Sequence, residues 1–295
     1  METSTKEIQP FVIKSSKKPL WLKGWNRIKR QRAAMFGLAI VLFFIMVGIL
    51  APLITSYPFD GFYPERTLVP PSAEHWFGTD DQGRDIFSRI VYGARISLWI
   101  GFFSVIGSII VGCLLGLIAG FYGKWADSVI SRFFDIMLAF PSILLAIAIV
   151  AILGPSLFNA LIAIAIINIP TYGRLIRSRV LSVKEEEYIM SARSTGMSDI
   201  RILFQHILPN SITPIIVQGT LGIATAILEA AALGFLGLGA QPGEPEWGKM
   251  LADSRQFLTV APWTLLFPGF AIMLTVVGFN MFGDGLRDAL DPKMK

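Results

Sequence analysis

Long apolar runs restrict what this chain can fold into more than any other feature of its sequence. Six runs are long enough to cross the hydrocarbon core of a bilayer, which takes about 20 helical residues. The composition agrees, because 16% of the 295 residues are charged, against roughly 25% in soluble domains. We therefore predict an all-α membrane protein with six transmembrane helices, at residues 35–54, 96–120, 129–153, 155–172, 212–239 and 263–283.

The first apolar run follows a basic arm, residues 1–34, which carries nine Lys or Arg residues. A secretory signal peptide is the alternative interpretation. Such a peptide has an apolar region of roughly 7–15 residues before a cleavage site of small residues. This run is longer, and Pro52 and Ile54 stand where small residues are needed. We interpret residues 35–54 as a retained transmembrane helix.

Lys and Arg are distributed unevenly between the segments that connect the six helices. If the N-terminus is cytoplasmic, the inner segments hold 20 of the 26 basic residues and the outer loops hold 5, with Arg95 at a boundary. Cytoplasmic loops carry such an excess. We therefore expect both termini in the cytoplasm, and the net charge of +5 needs no nucleic-acid partner. The expected divisions are a cytoplasmic arm (1–34), a first helix (35–54), a periplasmic loop (55–94), a five-helix transmembrane domain (95–285) and a cytoplasmic tail (286–295).

A polar segment, residues 184–210, lies between the fourth and fifth apolar runs. Its three consecutive glutamates suit a helix N-terminus, because acids there complement the helix dipole. We predict a helix over 188–195, ended by Gly196 in a left-handed conformation. A second helix over 200–208, capped by Ser198 or Asp199, is expected to end at Pro209. The segment, called the hairpin below, can be a docking element or simply a solvated connection.

The hairpin resembles the cytoplasmic "EAA" loop of bacterial binding-protein-dependent ABC importer permeases. It matches that pattern at Ala192, Gly196, Leu208 and Pro209, and departs from it at Met190, Ser191 and His206. In that family the loop is a coupling helix that sits in a groove of the ATPase subunit. The resemblance implies a coupling role for Tyr188, Met190, Ser191, Ala192, Arg193, Gly196, Met197, Leu208 and Pro209.

Longer strings are similar to the C-type permeases of dipeptide and oligopeptide importers. They lie at 77–98, 232–242, 245–248 and 283–292. This resemblance implies a type I ABC importer permease fold, with residues 95–285 as its transmembrane domain in the bacterial inner membrane. The implied partners are a B-type permease in a heterodimer, two ATP-binding subunits and a periplasmic or lipoprotein peptide-binding protein. The substrate stays open between dipeptide, oligopeptide, haem, nickel and antimicrobial peptide.

The sequence offers no enzymatic motif. It contains no GxxxxGK[ST] phosphate-binding loop, so ATP and Mg²⁺ are expected in the partner subunits and not in this chain. Two His and one Cys, all far apart, do not have the ligand spacing of a zinc site. The acids at 80–85 lack the spacing of a calcium loop. There we expect Thr79 or Asp80 to cap an amphipathic surface helix.

One acid, Glu229, lies well inside a predicted transmembrane helix. Charged groups at membrane depth are costly and usually functional. Glu229 is therefore a candidate for the translocation path, although packing within the bundle explains it equally well. Gln218 and Asn168 are weaker candidates, for which an interhelical hydrogen bond is the alternative interpretation. A secondary transporter with Glu229 as proton site, or a scaffold for a membrane complex, are the alternative functions.

Gly112, Gly116 and Gly120 recur at four-residue spacing within the second predicted helix. Small residues at this spacing let membrane helices approach closely. We expect this face to pack against another helix.

Overall fold

The computed structural model describes residues 25–290 and is all-helical over the elements it assigns. Its main helices are α1 (Arg32–Ile49), α2 (Ile86–Tyr122), α3 (Lys124–Ala139), α4 (Ser142–Leu153), α5 (Leu157–Val183), α6 (Glu187–Ser194), α7 (Asp199–Ile202), α8 (Leu208–Phe235), α9 (Trp247–Ser254) and α10 (Trp263–Leu290). Within the described residues, five helices are long and apolar enough to cross a membrane. The bent pair α3 and α4 brings the number to six if it is counted as one segment. The arm before residue 25 and the tail after residue 290 lie outside the described residues.

The third apolar run does not form the single helix predicted over residues 129–153. It is split into α3 and α4, whose axes are bent by 95°. The break falls at Phe140 and Pro141, whose ψ angles of 142° and 127° are not helical. Proline disfavours helical geometry in the residue before it, so Phe140 leaves the helix and a new one starts after Pro141.

The fifth apolar run shows the opposite outcome. Its Pro214, Gly219 and Gly222 predict breaks in the helix, yet α8 runs through all three positions without interruption. Membrane helices tolerate such residues when neighbouring groups compensate the freed backbone. The two glycines also serve packing, because a Cβ at Gly219 would touch Ile109 and one at Gly222 would overlap the Tyr172 hydroxyl.

The glycine face of α2 packs against α5, as predicted. A Cβ added at Gly112 would lie 2.7 Å from the carbonyl oxygen of Ile169, and one at Gly116 would overlap the carbonyl oxygen of Gly173. The two backbones are therefore in direct contact. Buried aliphatic side chains of α5 extend the same interface, among them Ile164 and Ile176.

Helix α2 begins in a buried polar cluster and not in the surface helix predicted there. Its N-cap is Asp85, whose Oδ2 accepts from the Ser88 N–H at 2.8 Å; neither Thr79 nor Asp80 caps it. Asp85 Oδ1 also lies 3.0 Å from His75 Nδ1. Asp80 instead pairs with Arg84 at 2.6 Å, so these acids hold the loop before α2 together.

Arg89 ties this cluster to the loop before α9. Its side chain is buried, and its guanidinium donates to the carbonyl oxygens of Phe59, Gly243 and Glu244 at 2.8–3.3 Å. Burial, with the charge of neighbouring Asp80, raises the pKa of Asp81 at the edge of the cluster. Two loops about 150 residues apart in sequence are therefore hydrogen-bonded to each other at this end of the bundle.

Candidate functional site

The hairpin folds as two short helices joined at Gly196. Glu186 is the N-cap of helix α6, and Glu187 lies in the first turn of that helix. Gly196 has φ of +79°. Its N–H donates to the Arg193 carbonyl, and the Met197 N–H donates to the Ala192 carbonyl. This pair of bonds is a Schellman motif, and the predicted helix end at Gly196 is confirmed.

The second half of the hairpin corrects the prediction made from Pro209. Helix α7 does not end there; it continues through a π-helical turn, Leu203–Ile207, directly into α8. Pro209 lies in the first turn of α8, where a missing N–H and a fixed φ are tolerated. The π-helical turn lies directly before this first turn of α8. The hairpin is therefore continuous with a membrane-spanning helix.

One side of the hairpin is anchored in the bundle. Ile189, Ile202 and Ile207 are fully buried and pack in a cluster with Ile176 of α5 and Leu117 of α2. The hairpin thus contacts the ends of two long helices and is covalently part of a third. The hairpin is therefore packed into the same bundle as these three helices.

Several of the predicted coupling residues belong to this anchored side. Ala192, Met197 and Leu208 pack at the edge of the same cluster. The Arg193 guanidinium lies 5.1 Å from the ring centroid of Phe121. A cation over an aromatic ring is attracted by its negative face. Arg193 therefore contacts the protein's own α2.

The hairpin also carries large apolar side chains that are exposed, which is unusual for a polar segment. Met190, Ile200 and Phe204 have exposed fractions of 54%, 67% and 58%. Tyr188 at 43% joins them, and Ser191, Gly196 and Pro209 are also exposed. We call the surface formed by these exposed residues the hairpin's outer face. Sequence reasoning missed Ile200 and Phe204, although apolar residues four apart in a helix share a face.

Glu229, the acid inside a predicted transmembrane helix, is hydrogen-bonded to a neutral side chain. Asn168 Nδ2 on α5 donates to Glu229 Oε2 on α8 at 2.8 Å, and it also donates to the Ile164 carbonyl at 3.0 Å. No ion pair of Glu229 exists within residues 25–290. The structure therefore brings Asn168 and Glu229 together, two of the three predicted path residues.

Gln218 does not join that pair. It lies eleven residues before Glu229 on α8, roughly 16 Å along the axis. At 100° per residue the two side chains nevertheless share a face, on which Gly222 and Thr225 lie between them. Thr225 is exposed and was not identified from the sequence. This stripe of α8, from Gln218 to Glu229, is the most polar face of that helix within the membrane region.

Within residues 25–290, five helices are long and apolar enough to cross a membrane, and the hairpin packs on two long helices and continues into a third. This architecture defines the class of a multi-pass membrane protein. The family comparisons specify that class. Residues 112–295 match the model described as the binding-protein-dependent transport system inner membrane component. Residues 19–71 match the N-terminal transmembrane domain of oligopeptide transport permease C.

Curated relatives and solved structures agree with this match. The chain is 68% identical to the dipeptide transport system permease protein DppC of Alkalihalophilus pseudofirmus, over 93% of this chain and 90% of that protein. It is 47% identical to the glutathione transport system permease protein GsiD of Pectobacterium atrosepticum, over 97% and 95%. The inward-facing MetNI methionine ABC transporter has a similar fold, with a TM-score of 0.56 at 18% identity over 70% of this chain and 98% of that chain.

The chain belongs to the inner membrane components of binding-protein-dependent transport systems and is a permease of the C type found in peptide importers. It is accordingly a multi-pass protein of the bacterial inner membrane. This membership gives no support to a gradient-driven secondary transporter or to a scaffold without transport activity.

Proposed function

We propose that this chain is one of two permease subunits in an ATP-driven importer of dipeptides. The substrate is taken from the 68% identical relative, whose name specifies dipeptide transport; the glutathione permeases are less similar. The second permease is of the B type, and the two together enclose the translocation path. Two further subunits bind ATP and Mg²⁺ and hydrolyse ATP, and a periplasmic or lipoprotein binding protein delivers the peptide to the outer loops.

The proposed topology counts α3 and α4 as one bent transmembrane segment. This gives six segments, places both termini in the cytoplasm and puts the hairpin on the side where ATP is available. The Lys and Arg bias of the loops supports this orientation. The long helices α5 and α8 then lead directly from the cytoplasmic hairpin into the membrane.

The hairpin is proposed to couple ATP hydrolysis to transport. The observation that carries this is its two-sided construction: an exposed apolar outer face opposite a buried side packed on α2 and α5. The outer face fits a groove on the ATP-binding subunit, and closure of that subunit's dimer moves the hairpin. Allostery of this kind requires a partner that contacts the two conformations differently.

Charge placed on the outer face tests this coupling. Phe204→Glu puts a carboxylate into the proposed contact, whereas Gln205→Glu puts the same group at the next exposed position. We expect Phe204→Glu to reduce copurification of the ATP-binding subunits and peptide uptake in proteoliposomes at least tenfold. Gln205→Glu is the matched control and should keep most of the copurification and most of the peptide uptake. Equal effects of the two substitutions would contradict docking through the outer face.

A further inference from the structure

A groove separate from both the hairpin and the Gln218–Glu229 stripe lies between α1, α2, α8 and α10. Its volume is about 390 Å³, within the range of about 300–1,000 Å³ typical of small-molecule pockets. Its walls are apolar and aromatic, with Ile45 and Ile49 on α1, Trp99 and Phe103 on α2, and Phe279 on α10. One charged residue, Arg95, also lines it.

Arg95 lies where the apolar part of the bundle ends. The backbone nitrogen of Arg95 is 3.2 Å from where a Cβ on Gly48 would lie, and α1 ends one residue later, at Ile49. The Arg95 side chain is exposed. Among the described residues no carboxylate lies within ion-pair distance of it. Its positive charge is thus presented at the membrane boundary without a counter-charge from this chain.

The groove becomes apolar with depth below Arg95. Trp99 and Phe103 follow one and two turns further along α2, about 6 and 12 Å deeper at 1.5 Å per residue. Their rings are 4.8 Å apart. Trp is the side chain typical of the interfacial layer of a bilayer. Charge, interfacial aromatic ring and apolar wall therefore occur in the same order as the phosphate, glycerol and acyl chain of a phospholipid.

We propose that this groove binds an anionic phospholipid, with one acyl chain along Trp99 and Phe103 and the headgroup phosphate on Arg95. Guanidinium groups bind phosphate oxygens through paired, charge-assisted hydrogen bonds. An apolar helix of another subunit fits less well, because it would cover Arg95 without supplying a negative charge, and an unpaired charge in lipid is costly. The lipid supplies both the counter-charge and the apolar filling.

Native mass spectrometry of the delipidated importer, titrated with phosphatidylglycerol or phosphatidylcholine, tests the headgroup contact. We expect the wild-type complex to bind phosphatidylglycerol at least fivefold more tightly. Arg95→Gln should abolish that preference, while Arg95→Lys should keep part of it because the charge remains. Arg255→Gln removes an exposed arginine from the loop after α9 and is the matched control. A wild-type complex that binds both lipids equally, or an unchanged preference in Arg95→Gln, would overturn the proposal.

A photo-crosslinking amino acid in place of Trp99 tests the occupant of the groove directly, in the intact importer within its membrane. We expect an adduct with the mass of a phospholipid. An adduct with the second permease subunit would show that a partner helix fills the groove and would overturn the proposal even if Arg95→Gln failed to assemble. Neither measurement depends on peptide uptake, so the lipid site and the dipeptide substrate are tested independently of each other.

Discussion

Glu246 is an almost fully buried carboxylate in the loop before α9. It caps that helix, with its two oxygens accepting from the backbone N–H groups of Gly248 and Lys249 at 2.8 and 2.7 Å. Burial nevertheless raises its pKa from 4.5 to about 7, and the neighbouring charge of Glu244 acts in the same direction. The folded protein therefore holds a proton on Glu246 over a pH range in which the unfolded chain has lost it.

This pKa predicts that the protein loses stability as the pH rises. The contribution of Glu246 is fully present below pH 4.5 and is lost as the pH rises through about 7; the two pKa values differ by the equivalent of about 3 kcal/mol. We expect the midpoint temperature of unfolding to fall between pH 5 and pH 8 in the wild type, and to fall less in Glu246→Gln. Parallel pH profiles for the two proteins would contradict a titrating Glu246.

The proposed mechanism predicts a large loss of uptake for a substitution at Gly196 and a smaller loss for one at Glu229. Gly196 has a positive φ and no neighbour within 4 Å of an added Cβ, so a bulky side chain there strains the turn and projects from the outer face. We expect Gly196→Trp to reduce peptide uptake at least tenfold while membrane insertion and the yield of the chain persist. Uptake at the wild-type rate would rule out docking at this turn.

Glu229→Gln should have a smaller effect than Gly196→Trp. The amide can keep a hydrogen bond to Asn168 through its carbonyl oxygen, because Asn168 Nδ2 is the donor in that contact. We therefore expect uptake within about tenfold of wild type, measured with the same labelled dipeptide. A loss larger than that of Gly196→Trp would indicate that the charge of Glu229 itself is required for passage of the peptide.

At the scale of elements, the contact between α2 and α5 depends on glycine. A Cβ at Gly116 would overlap a backbone carbonyl, whereas a Cβ at Gly269 of α10 meets nothing within 4 Å. We expect Gly116→Ala to destabilise the bundle by about 1–3 kcal/mol, as overpacking does. That should lower the midpoint temperature of unfolding by about 2–4 °C per kcal/mol.

Gly269→Ala is the matched control, since it makes the same change within a helix. It should be neutral or stabilising by up to about 1 kcal/mol, because alanine is the better helix former. Thermal unfolding of the detergent-extracted complex compares the two. Equal midpoints would mean that α2 and α5 separate easily enough to accept the extra methyl group.

At the scale of the whole molecule, the proposed topology makes a labelling prediction. The chain has one cysteine, Cys113, so a cysteine-free background needs one substitution. The experiment uses cells whose outer envelope has been made permeable while the inner membrane stays sealed. A membrane-impermeant maleimide should then label Glu65→Cys in the outer loop and leave Ser194→Cys in the hairpin unlabelled. Both positions are exposed, and both should react after membrane disruption. The reverse pattern in intact cells would invert the orientation.

The features that could be predicted from the sequence are those set by local chemistry. A long apolar run must satisfy its backbone hydrogen bonds within itself in lipid, so helices were predictable and their approximate places were right. The turn at Gly196 was also predictable, because a helix end in a left-handed conformation is a property of a few adjacent residues. The longer sequence strings that resemble a known family predicted the class of protein.

The tertiary structure decided whatever depends on contacts between distant residues. Proline has opposite outcomes in this chain: α8 continues through Pro214, whereas the third apolar run bends at Pro141. Asp85, not Asp80, caps α2, and Asp80 pairs with Arg84. Arg193 lies over the ring of Phe121 on α2, a contact that no local pattern predicts. The sequence by itself determined which segments are helical and apolar, since that depends on neighbours along the chain. Only the packed bundle decided which side of each helix is buried, exposed or paired, because those partners are brought together by folding alone.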